Sequence, residues 1–545
     1  MKAYKYLINA IVILSLLLLV ACSNETTKTT DENKNNSSAE KSNDKTLFIG
    51  VTNAPILLNP INTADTTSTW LVSFMFGSLL EMDGPLSFVP VLADSFETTD
   101  NQTFTIKLNE KANWTDGKPV TAEDVAFTFN LIANPKVETT DGAYIASLDG
   151  LGENGKLPEG QTELSSVKII DEKTIEIKTK QPFDANMIKE QIGTKIQVLP
   201  KHVLKDVDPA KLSQHPFMQK PNVSNGPFQF VQYKKDQYVE LAGNPDYYFG
   251  KPELEKIFVK IMPGPNLVAQ LQTGGIHMNT PLIGNIAIQD YETVKGLANV
   301  RTKNEGSVAF QTMIMNNETI KDSKLRKAIA YAVDRQLIVD KLLKGYGDVI
   351  DGPYTPVSPF LNKDLKQFSY DTEKAKQLIK ESGWDVNKPL RLVVPIGNKV
   401  REQSASIIEQ NLQEAGLKVE VTTYDFPTVT QKAKAGDFDL LLYGLKFTLD
   451  PDVTTLYGSK GTYNYMNYDN PKSDELLEKG KNETDPDKRK VIYNELQEIW
   501  NEDMPILTLY SDHEFSAISN DVVVGEPKAI GYHYNIHQWS VGGGH

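Results

Sequence analysis

Cysteine is almost absent from this chain, since Cys22 is the single cysteine among 545 residues. One thiol cannot close a disulfide within the chain, and it cannot supply a zinc site built from several thiolates. The fold must therefore be held together by its apolar cores. About 500 residues are too many for one core, so we expect two or three domains.

Positive charge and long apolar runs are also scarce. Lys and Arg number 57 against 71 Asp and Glu, which gives a formal net charge of −14. An acidic surface disfavours nucleic acid as a partner and offers no polybasic attraction to anionic lipid. The one long apolar run, Leu7 to Val20, has 14 residues. It falls short of the ~20 residues that a membrane-spanning helix needs.

That short run is typical of a secretory signal. Lys2 and Lys5 precede it and small residues follow it, which predicts a signal peptide over residues 1–21. The sequence Leu19-Val20-Ala21-Cys22 looks like a bacterial lipobox. This resemblance implies cleavage before Cys22 and a diacylglycerol on its sulfur. The alternative is an ordinary signal peptide with an incidental cysteine.

Residues 22–45 are predicted to be a tether. From Ser23 to Asp44 the only apolar residue is Ala39. Such a segment cannot bury enough apolar surface to order itself. The folded body is therefore expected to begin near Lys45, held close to a membrane without entering it.

The first part of the folded body is rich in predicted strands. Apolar patterns typical of strands occur at residues 46–51, 103–108 and 174–179. Apolar residues at helical spacing predict a helix over residues 70–80. Thr121, with Asp124 at the capping-box position, predicts the start of another helix.

Helices and strands alternate in the C-terminal half. The patterns predict, in order, a strand at 392–396, a helix at 400–415, a strand at 417–424, a helix at 427–435 and a strand at 438–443. Such alternation is typical of βαβ units and a parallel sheet. Ligands of such sheets bind beyond the carboxyl ends of the strands, so residues 397–401 and 444–449 form a candidate binding edge.

Several residues predict helix boundaries between these regions. Asp322 and Asp371 precede apolar helical patterns, and Gly383 predicts the end of the second helix. Asp334 and Arg335 are expected to pair with each other within their helix.

No motif indicates catalysis. Residues 150–155 match G-x-G-x-x-G, but Pro158 follows where a dinucleotide fold needs a helix, so the match is interpreted as chance. His533 and His537 have a spacing that suits a metal site on a helix, but Gly531 and the aromatic neighbours favour a strand or loop in which both are surface or packing histidines. No G-x-S-x-G or H-E-x-x-H motif is present. We expect no enzyme, no cofactor and no metal site.

A series of ordered motifs carries a family resemblance. They are Leu92-Ala-Asp-Ser-Phe-Glu97, Phe104-Thr-Ile-Lys-Leu108, Trp114-Thr-Asp-Gly-Lys-Pro-Val-Thr-Ala-Glu-Asp-Val125, Ser224-Asn-Gly-Pro-Phe-Gln-Phe230, Asn244-Pro-Asp-Tyr-Tyr-Phe-Gly-Lys-Pro252, Leu325-Arg-Lys-Ala-Ile-Ala-Tyr-Ala-Val-Asp-Arg335 and Tyr370-Asp-Thr-Glu-Lys-Ala-Lys-Gln-Leu378. Together they make the chain similar to the extracytoplasmic peptide-binding lipoproteins of ABC importers, the oligopeptide-, dipeptide- and nickel-binding group. It looks most like the long-oligopeptide subgroup, from about Thr46 to the C-terminus.

The resemblance implies an α/β fold, a bilobed clamp of the type II periplasmic-binding-protein kind. An extra β-rich subdomain would lie in the discontinuous lobe, and two crossing segments would form the hinge. The implied boundaries are 46–79, 198–307 and 517–541 for lobe I, 80–197 for subdomain II and 308–516 for lobe III.

The resemblance also implies a function. The protein would be a monomeric receptor on the outer face of the bacterial cytoplasmic membrane, held there by its N-terminal lipid alone. It would bind an oligopeptide in extended form between its lobes, as an added strand, and deliver it to the permease subunits of an ABC transporter. The alternatives are another ligand on the same fold, such as a signalling peptide, a metal chelate or haem, or a surface hydrolase.

Position in the family pattern implies two pairing segments and four pocket residues. The pairing segments are Ala64-Asp65-Thr66 and Gly444-Leu445-Lys446-Phe447, and the pocket residues are Asn316, Arg401, Phe426 and Tyr510. For Phe426 and Tyr510 the alternative is plain core packing. For Arg401 it is a solvated helix N-terminus.

The chain departs from the family pattern where the amino end of a peptide would bind. Members that grip the ammonium use an Asp three residues after a Trp in the second pairing segment. Here Leu445 replaces the Trp, and Phe447 or Thr448 stands at the Asp position. A desolvated ammonium without a carboxylate is costly. We expect the end to stay hydrated; the alternative is a replacement acid, for which the candidates are Asp65, Asp450 and Asp452.

Overall fold

A computed structural model describes residues 45–63 and 65–542. The strands are β1 (Thr46–Val51), β2 (Leu80–Gly84), β3 (Ser87–Pro90), β4 (Ala93–Thr98), β5 (Thr103–Leu108), β6 (Val167–Ile169), β7 (Thr174–Lys178), β8 (Phe228–Lys234), β9 (Tyr238–Gly243), β10 (Lys256–Ile261), β11 (Met278–Asn279), β12 (Val300–Glu305), β13 (Ala309–Met315), β14 (Gly347–Asp348), β15 (Leu390–Pro395), β16 (Val419–Tyr424), β17 (Leu440–Lys446), β18 (Ile506–Asp512), β19 (Glu514–Ser519), β20 (Val522–Val524) and β21 (Ser540–Val541).

The α-helices are α1 (Thr66–Met75), α2 (Ala122–Ala133), α3 (Gly142–Ile145), α4 (Ala185–Ile188), α5 (Lys201–Leu204), α6 (Gly264–Thr273), α7 (Tyr291–Lys295), α8 (Ser323–Ala332), α9 (Arg335–Lys341), α10 (Thr372–Ser382), α11 (Lys399–Glu414), α12 (Phe426–Lys434), α13 (Thr454–Tyr457), α14 (Pro471–Asn482) and α15 (Pro486–Asp503). Among the described residues, none of the helices combines the length and the apolar character needed to cross a membrane. The predicted signal peptide, Cys22 and the predicted tether up to residue 44 lie outside the described residues.

A seven-stranded sheet forms the first lobe. Its strand order is β12-β19-β11-β1-β10-β9-β8. β1 lies inside the sheet and runs parallel to both β10 and β11. A strand that is buried on both faces has a nearly continuous apolar sequence. Five of the six residues of β1 are buried, which explains why its pattern was detectable in the sequence.

A six-stranded sheet forms the second lobe, in the order β14-β18-β13-β17-β15-β16. β15 runs parallel to β16 and to β17, and the connections between them are α11 and α12. The prediction of βαβ units and a parallel arrangement in this region is confirmed. The sheet is mixed, because β13 runs antiparallel to its neighbours β17 and β18.

A smaller β-rich unit is built onto the first lobe. It contains the antiparallel sheet β4-β5-β7-β6 and the hairpin β2-β3. Its helix α2 begins with the predicted capping box, in which the Thr121 N–H donates to the Asp124 carboxylate at 2.9 Å. One continuous apolar cluster contains Leu47 of β1, Phe104 of β5 and Ile177 of β7. The unit and the first lobe therefore share a core.

The chain passes between the two lobes twice. β12 of the first sheet leads through residues 306–308 into β13 of the second sheet, and β18 of the second sheet leads through His513 back to β19 of the first. The two crossings are tied together by Ser307, whose hydroxyl donates to Glu514 Oε1 at 3.0 Å. The fold is thus a bilobed α/β clamp with a discontinuous first lobe. The second crossing, at His513, lies N-terminal to the expected boundary between residues 516 and 517.

The first helix differs from its prediction over residues 70–80. α1 begins at Thr66 and ends at Met75. A Cβ on Gly226 would lie 2.6 Å from the Met75 carbonyl carbon, so the backbones meet closely where the helix ends. The Gly77 N–H then donates to the side chain of Asn225 at 2.7 Å. These contacts turn the chain, and Leu80 begins β2 instead of ending the helix.

The predicted pairing of Asp334 with Arg335 is wrong. Asp334 caps α9 by accepting the Leu337 N–H at 2.8 Å. Arg335 is buried and bonds to Asp351 at 2.8 Å and to the Ile350 carbonyl at 2.9 Å. A buried guanidinium needs acceptors on several sides, and these come from distant parts of the chain.

Candidate functional site

The second sheet has a free backbone edge at the carboxyl end of β15. β17 pairs with β13 along its whole length, from Leu440 to Lys446. On its other side β17 pairs with β15 only at Leu440 and Leu441. In the described part of the chain, residues 442–446 therefore have no strand on that side. Such an edge of unpaired N–H and C=O groups can accept an extended peptide as an added strand.

Two helices begin beside this edge. Asn398 caps α11 by accepting the Arg401 N–H at 3.0 Å, and Asp425 caps α12 by accepting the Thr428 N–H at 2.8 Å. The helices follow β15 and β16, so Arg401 and Phe426 in their first turns lie at the carboxyl ends of the parallel strands. This is where sheets of this kind bind their ligands.

Arg401 lies against the backbone of Gly444. A Cβ on Gly444 would be 2.8 Å from Arg401 Nη2 and 3.0 Å from Gln311 Nε2. The guanidinium is oriented by Gln311, whose Oε1 accepts the Arg401 Nε–H at 2.9 Å. Burial lowers the pKa of Arg401 below its usual value, an effect that Tyr510 and Asp512 oppose. The structure therefore places Arg401 close to Gly444 and Tyr510, beside the free edge.

Tyr510 lies in β18, where it is paired with Gln311 of β13 and is 1% exposed. Burial raises the pKa of its phenol, and the nearby Asp512 raises it further, so the side chain is neutral at pH 7. Burial also raises the pKa of the Asp512 carboxyl, against the attraction of Arg401. Tyr510 belongs to the apolar cluster that contains Leu507 and Leu509, as the alternative of core packing predicts. Arg401 and Asp512 nevertheless lie near enough to affect the titration of its phenol.

Lys446 at the end of β17 lies near Glu514 of the first lobe. Lys446 is exposed, and Glu514 lies near enough to affect the titration of its ammonium. Burial raises the pKa of Glu514 to about 7, against the Ser307 hydrogen bond and the attraction of Lys446. Glu514 Oε2 is buried and has no hydrogen-bond partner among the described residues. The crossing between the lobes therefore contains a titratable acid beside the free edge.

The other face of the edge is aromatic. Phe426 is 49% exposed, and its ring lies 5.4 Å from that of Tyr443. The Tyr443 ring lies 5.8 Å from that of Tyr465. Phe447 contacts Phe310 at a ring distance of 5.9 Å. Phe426 is therefore an exposed aromatic side chain beside the free edge rather than a core residue.

Asn316 does not join this group. It follows β13 at the end opposite Lys446 and is 1% exposed. Its amide donates to the carbonyls of Gly436 and Phe438, each at 3.1 Å. Asn316 therefore fixes the entry into β17 and is separated from the free edge by the length of that strand.

The first predicted pairing segment surrounds a helix cap. Ala64 lies outside the described residues. Asp65 has extended backbone angles (φ −149°, ψ 160°) and caps α1 by accepting the Ser68 N–H at 2.8 Å. Thr66 is the first helical residue, so an extended ladder on this side ends at Asp65.

Each of the three acids proposed as replacements for the missing Asp is engaged within the protein. Asp65 Oδ2 also accepts the Ile56 N–H at 3.0 Å. Asp450 is buried and bonds to Arg489 Nη1 at 2.5 Å. Asp452 accepts the Thr454 N–H at 3.0 Å. Because all three carboxylates already accept hydrogen bonds within the protein, these contacts favour a hydrated amino end of the peptide over an amino end bound by one of these acids.

The motifs that sequence analysis set aside have structural explanations. Residues 156–166, which follow the G-x-G-x-x-G match, contain no helix. His533 is half-buried and its ring stacks on that of Phe74 at 4.6 Å, and desolvation of the ring lowers its pKa to about 4. Within residues 45–63 and 65–542, no three His, Cys, Asp or Glu residues are grouped so that they could hold a metal ion.

Sequence reasoning missed Gln311, Asp512 and Glu514. Gln311 interrupts the apolar sequence of β13, and that polar residue in a buried strand was the available signal. Asp512 and Glu514 flank the second crossing. They lie near Arg401 and Lys446 because of how the two sheets are arranged, and a local sequence pattern cannot predict that arrangement.

Comparison with known proteins identifies the family. Residues 87–467 match the sequence model of the bacterial extracellular solute-binding proteins, family 5. The chain belongs to this family. The resemblance to the extracytoplasmic solute-binding proteins of ABC importers is therefore confirmed, and the protein is a binding protein rather than an enzyme.

Two relatives are similar to this chain over about nine-tenths of its length. The oligopeptide-binding protein AppA of Bacillus subtilis is 29% identical over 521 residues, which cover 90% of this chain and 91% of that protein. The structure of AppA in complex with a nonapeptide has a TM-score of 0.74 at 26% identity, over 91% of this chain and 98% of the other. The substrate-binding protein CtaP of Listeria monocytogenes gives a TM-score of 0.79 at 26% identity, over 91% and 99% of the two chains. The predicted bilobed fold is confirmed by these structures.

Proposed function

We propose that the protein is a receptor that binds oligopeptides in extended form between its two lobes and delivers them to the permease of an ABC importer. The observation that carries this proposal is the free edge of residues 442–446, at the carboxyl ends of the parallel strands of the second lobe. Backbone pairing along such an edge recognises any peptide without reading its sequence. The similarity to a protein whose structure contains a nonapeptide supports the same ligand class here.

The proposed lobes follow the sequence analysis except at the second crossing, where the boundary moves to His513. Lobe I covers 46–79, 198–307 and 514–541, subdomain II covers 80–197, and lobe III covers 308–512. Residues 306–308 and His513 act as the hinge, because they are the segments that join the two sheets. Closure about these segments would bring the first lobe against the free edge and cover the peptide. A bound peptide would then be held by both lobes at once.

Peptide recovery tests the proposal against its alternatives. The soluble domain from Lys45 onward is incubated with a mixture of peptides and with haem and a nickel chelate, and the bound material is identified by mass spectrometry. Intact peptides of several residues are expected in the bound fraction. Shortened peptides would indicate a hydrolase, and retention of haem or the chelate alone would overturn the peptide proposal.

Closure is tested by small-angle scattering. A peptide recovered in the first experiment should reduce the radius of gyration of the soluble domain. The same peptide should raise the thermal unfolding midpoint, since a ligand at one hundred times its Kd stabilises the folded state by ~2.7 kcal/mol. Stabilisation without compaction would contradict the clamp motion while leaving peptide binding intact.

We further propose that a lipid on Cys22 anchors the protein at the outer face of the cytoplasmic membrane. One acyl chain binds membranes only marginally, whereas two chains hold a protein stably. In cells, Cys22→Ser should release the protein into the medium, and Ser37→Ala in the predicted tether should leave it in the membrane fraction. Membrane retention of the Cys22→Ser variant would contradict the lipid anchor.

A further inference from the structure

The two faces of the free edge differ in chemistry. Side chains alternate between the faces of a strand, with a period of two residues. Leu440 and Leu442 belong to the apolar cluster that contains Ile408 of α11. Leu441 and Tyr443 belong to the cluster that contains Val429 of α12. The edge therefore has an α11 face and an α12 face.

The α11 face of the edge is charged. By the same alternation, Gly444 and Lys446 lie on it. Gly444 has no side chain, and Arg401 Nη2 occupies the space where its Cβ would be, at 2.8 Å. Asp512 lies near enough to Arg401 to affect the titration of its guanidinium, and Glu514 has the same relation to Lys446. Lys195 also lies near enough to Lys446 to affect its titration. Three basic and two acidic groups thus flank this face.

The α12 face of the edge is aromatic and uncharged. Leu445 and Phe447 pack against the cluster of this face, beside Tyr443. Phe426 and Tyr463 extend the aromatic surface outward and are 49% and 48% exposed. Burial raises the pKa of Tyr465 to about 12, and the neighbours that add to this effect are the phenols of Tyr443 and Tyr463.

A peptide that pairs with the free edge as an added strand would also have one side toward the charged face and one toward the aromatic face. Residues directly opposite each other on paired strands place their side chains on the same face. Peptide residues opposite Gly444 and Lys446 would meet the charged face, and those opposite Tyr443 and Leu445 would meet the aromatic face. We propose that the site selects peptides whose polar or charged side chains alternate with aromatic or large apolar ones. This inference rests on the proposed function and names the substrate class of the same edge.

Two octapeptides of identical composition test the alternation. In one, Glu and Tyr alternate; in the other, four Glu residues precede four Tyr residues. All four Tyr side chains of the alternating peptide can meet the aromatic face, whereas only two of the other peptide can. Calorimetry should therefore show the alternating peptide binding about tenfold more tightly. Equal affinities overturn the alternation and leave peptide binding intact. Failure of both octapeptides to bind, together with no peptide in the recovery experiment, overturns the proposed function and this inference with it.

Variants on the two faces assign the positions. Phe426→Ala should weaken the alternating peptide about fivefold and should not affect a peptide in which Ala replaces every Tyr. Arg401→Gln should weaken the alternating peptide and should not affect one in which Ser replaces every Glu. Val491→Ala, at a residue that is 65% exposed on α15, serves as the matched control. If Phe426→Ala and Arg401→Gln weaken all peptides equally, the division into two faces is overturned.

Discussion

The carboxylate of Glu190 accepts the backbone N–H of Asp450 at 2.7 Å, and its other oxygen accepts the N–H of Leu449 at 2.9 Å. Glu190 follows α4 in the β-rich unit that shares its core with the first lobe, whereas Asp450 lies in the second lobe just beyond the free edge. The contact therefore joins the two lobes at a point away from the hinge.

Replacing Glu190 should loosen this contact. Glu190→Gln retains the shape but directs an amide N–H group at one of two backbone N–H donors, which leaves that donor unpaired at a cost of about 1–3 kcal/mol. We expect faster dissociation of a bound peptide with little change in the association rate, measured by stopped-flow fluorescence. Glu420→Gln, on an exposed position of β16, is the control. An unchanged dissociation rate would show that the contact of Glu190 with residues 449–450 does not retain the peptide.

Arg489 reinforces the same junction from within. It bonds to Asp450 at 2.5 Å and lies 3.5 Å from Asp184 of the β-rich unit. Burial opposes its charge, but Asp450 outweighs that effect, and the pKa of the guanidinium is held above its usual value. Arg489→Leu leaves buried carboxylates without their cation, so urea denaturation should show a loss of about 3–5 kcal/mol.

Lys488→Leu provides the comparison for Arg489→Leu. Its side chain is 71% exposed and pairs with Asp485 at 3.6 Å. A surface pair of this kind contributes about 0–1 kcal/mol. A similar loss in both variants would contradict a special role for the buried arginine.

Stability should fall as the pH rises from about 4.5 to about 7. Burial raises the pKa of Glu514 from 4.5 to about 7, in a setting where Lys446 lowers it and Asp512 and Glu305 raise it. An acid with a raised pKa holds its proton more tightly when folded, so folding is favoured most below pH 4.5 and this contribution is lost by about pH 7. Thermal unfolding at pH 5.5 and 8.5 should differ by roughly 2 kcal/mol from this residue.

Glu514→Gln should reduce that pH dependence, whereas Glu255→Gln on an exposed position should not. Glu81 and Asp141 also have pKa values that burial raises to about 7, so part of the pH dependence should persist in the Glu514 variant. An identical pH profile for Glu514→Gln and the unmodified protein would show that Glu514 is charged throughout this range.

Gly444→Ala should affect binding more than stability. The new methyl group would meet the ends of the flexible side chains of Arg401 and Gln311, which can move without disturbing the backbone. We expect a change in unfolding free energy of less than about 1.5 kcal/mol and weaker binding of peptides that carry Glu. Gly226→Ala is the contrast, because its methyl group would meet the backbone of Phe74 and Met75 at 2.6 Å and should destabilise the fold strongly.

The parts of this structure that sequence could predict are those with a local cause. Asp322 and Asp371 cap helices as predicted, since each accepts a backbone N–H at the start of its helix. Gly383 ends α10 with a positive φ of 67°. The candidate edge at residues 397–401 and 444–449 also came from pattern alone, because the alternation of helices and strands fixes which ends of the strands meet. The strand predicted to end at residue 443 continues to Lys446, so residues 444–446 lie within β17 rather than beyond it.

The parts that sequence could not predict depend on contacts between distant segments. Arg335 was expected to pair with its neighbour, but its partner is Asp351. Asn316 was placed in the pocket by its position in the family pattern, yet it binds the carbonyls that precede β17. Glu190 had no local signal at all, since its partners belong to the other lobe.

The place of β19 in the first sheet has a consequence for the order of folding. β19 is the strand that joins β12 to the rest of that sheet, and it follows the whole second lobe in sequence. Contacts between segments so far apart in sequence form slowly, because the entropy cost of closing a long loop must be met before the contacts contribute any stabilisation. The second lobe can assemble its βαβ units from segments that are close in sequence. In the first sheet, β12 cannot join the other strands until β19, residues 514–519, has been synthesised. During synthesis, which starts at the N-terminus, the first lobe therefore stays incomplete until almost the whole chain has been made. Until then the edges of β11 and β12 have no neighbouring strand at the position of β19.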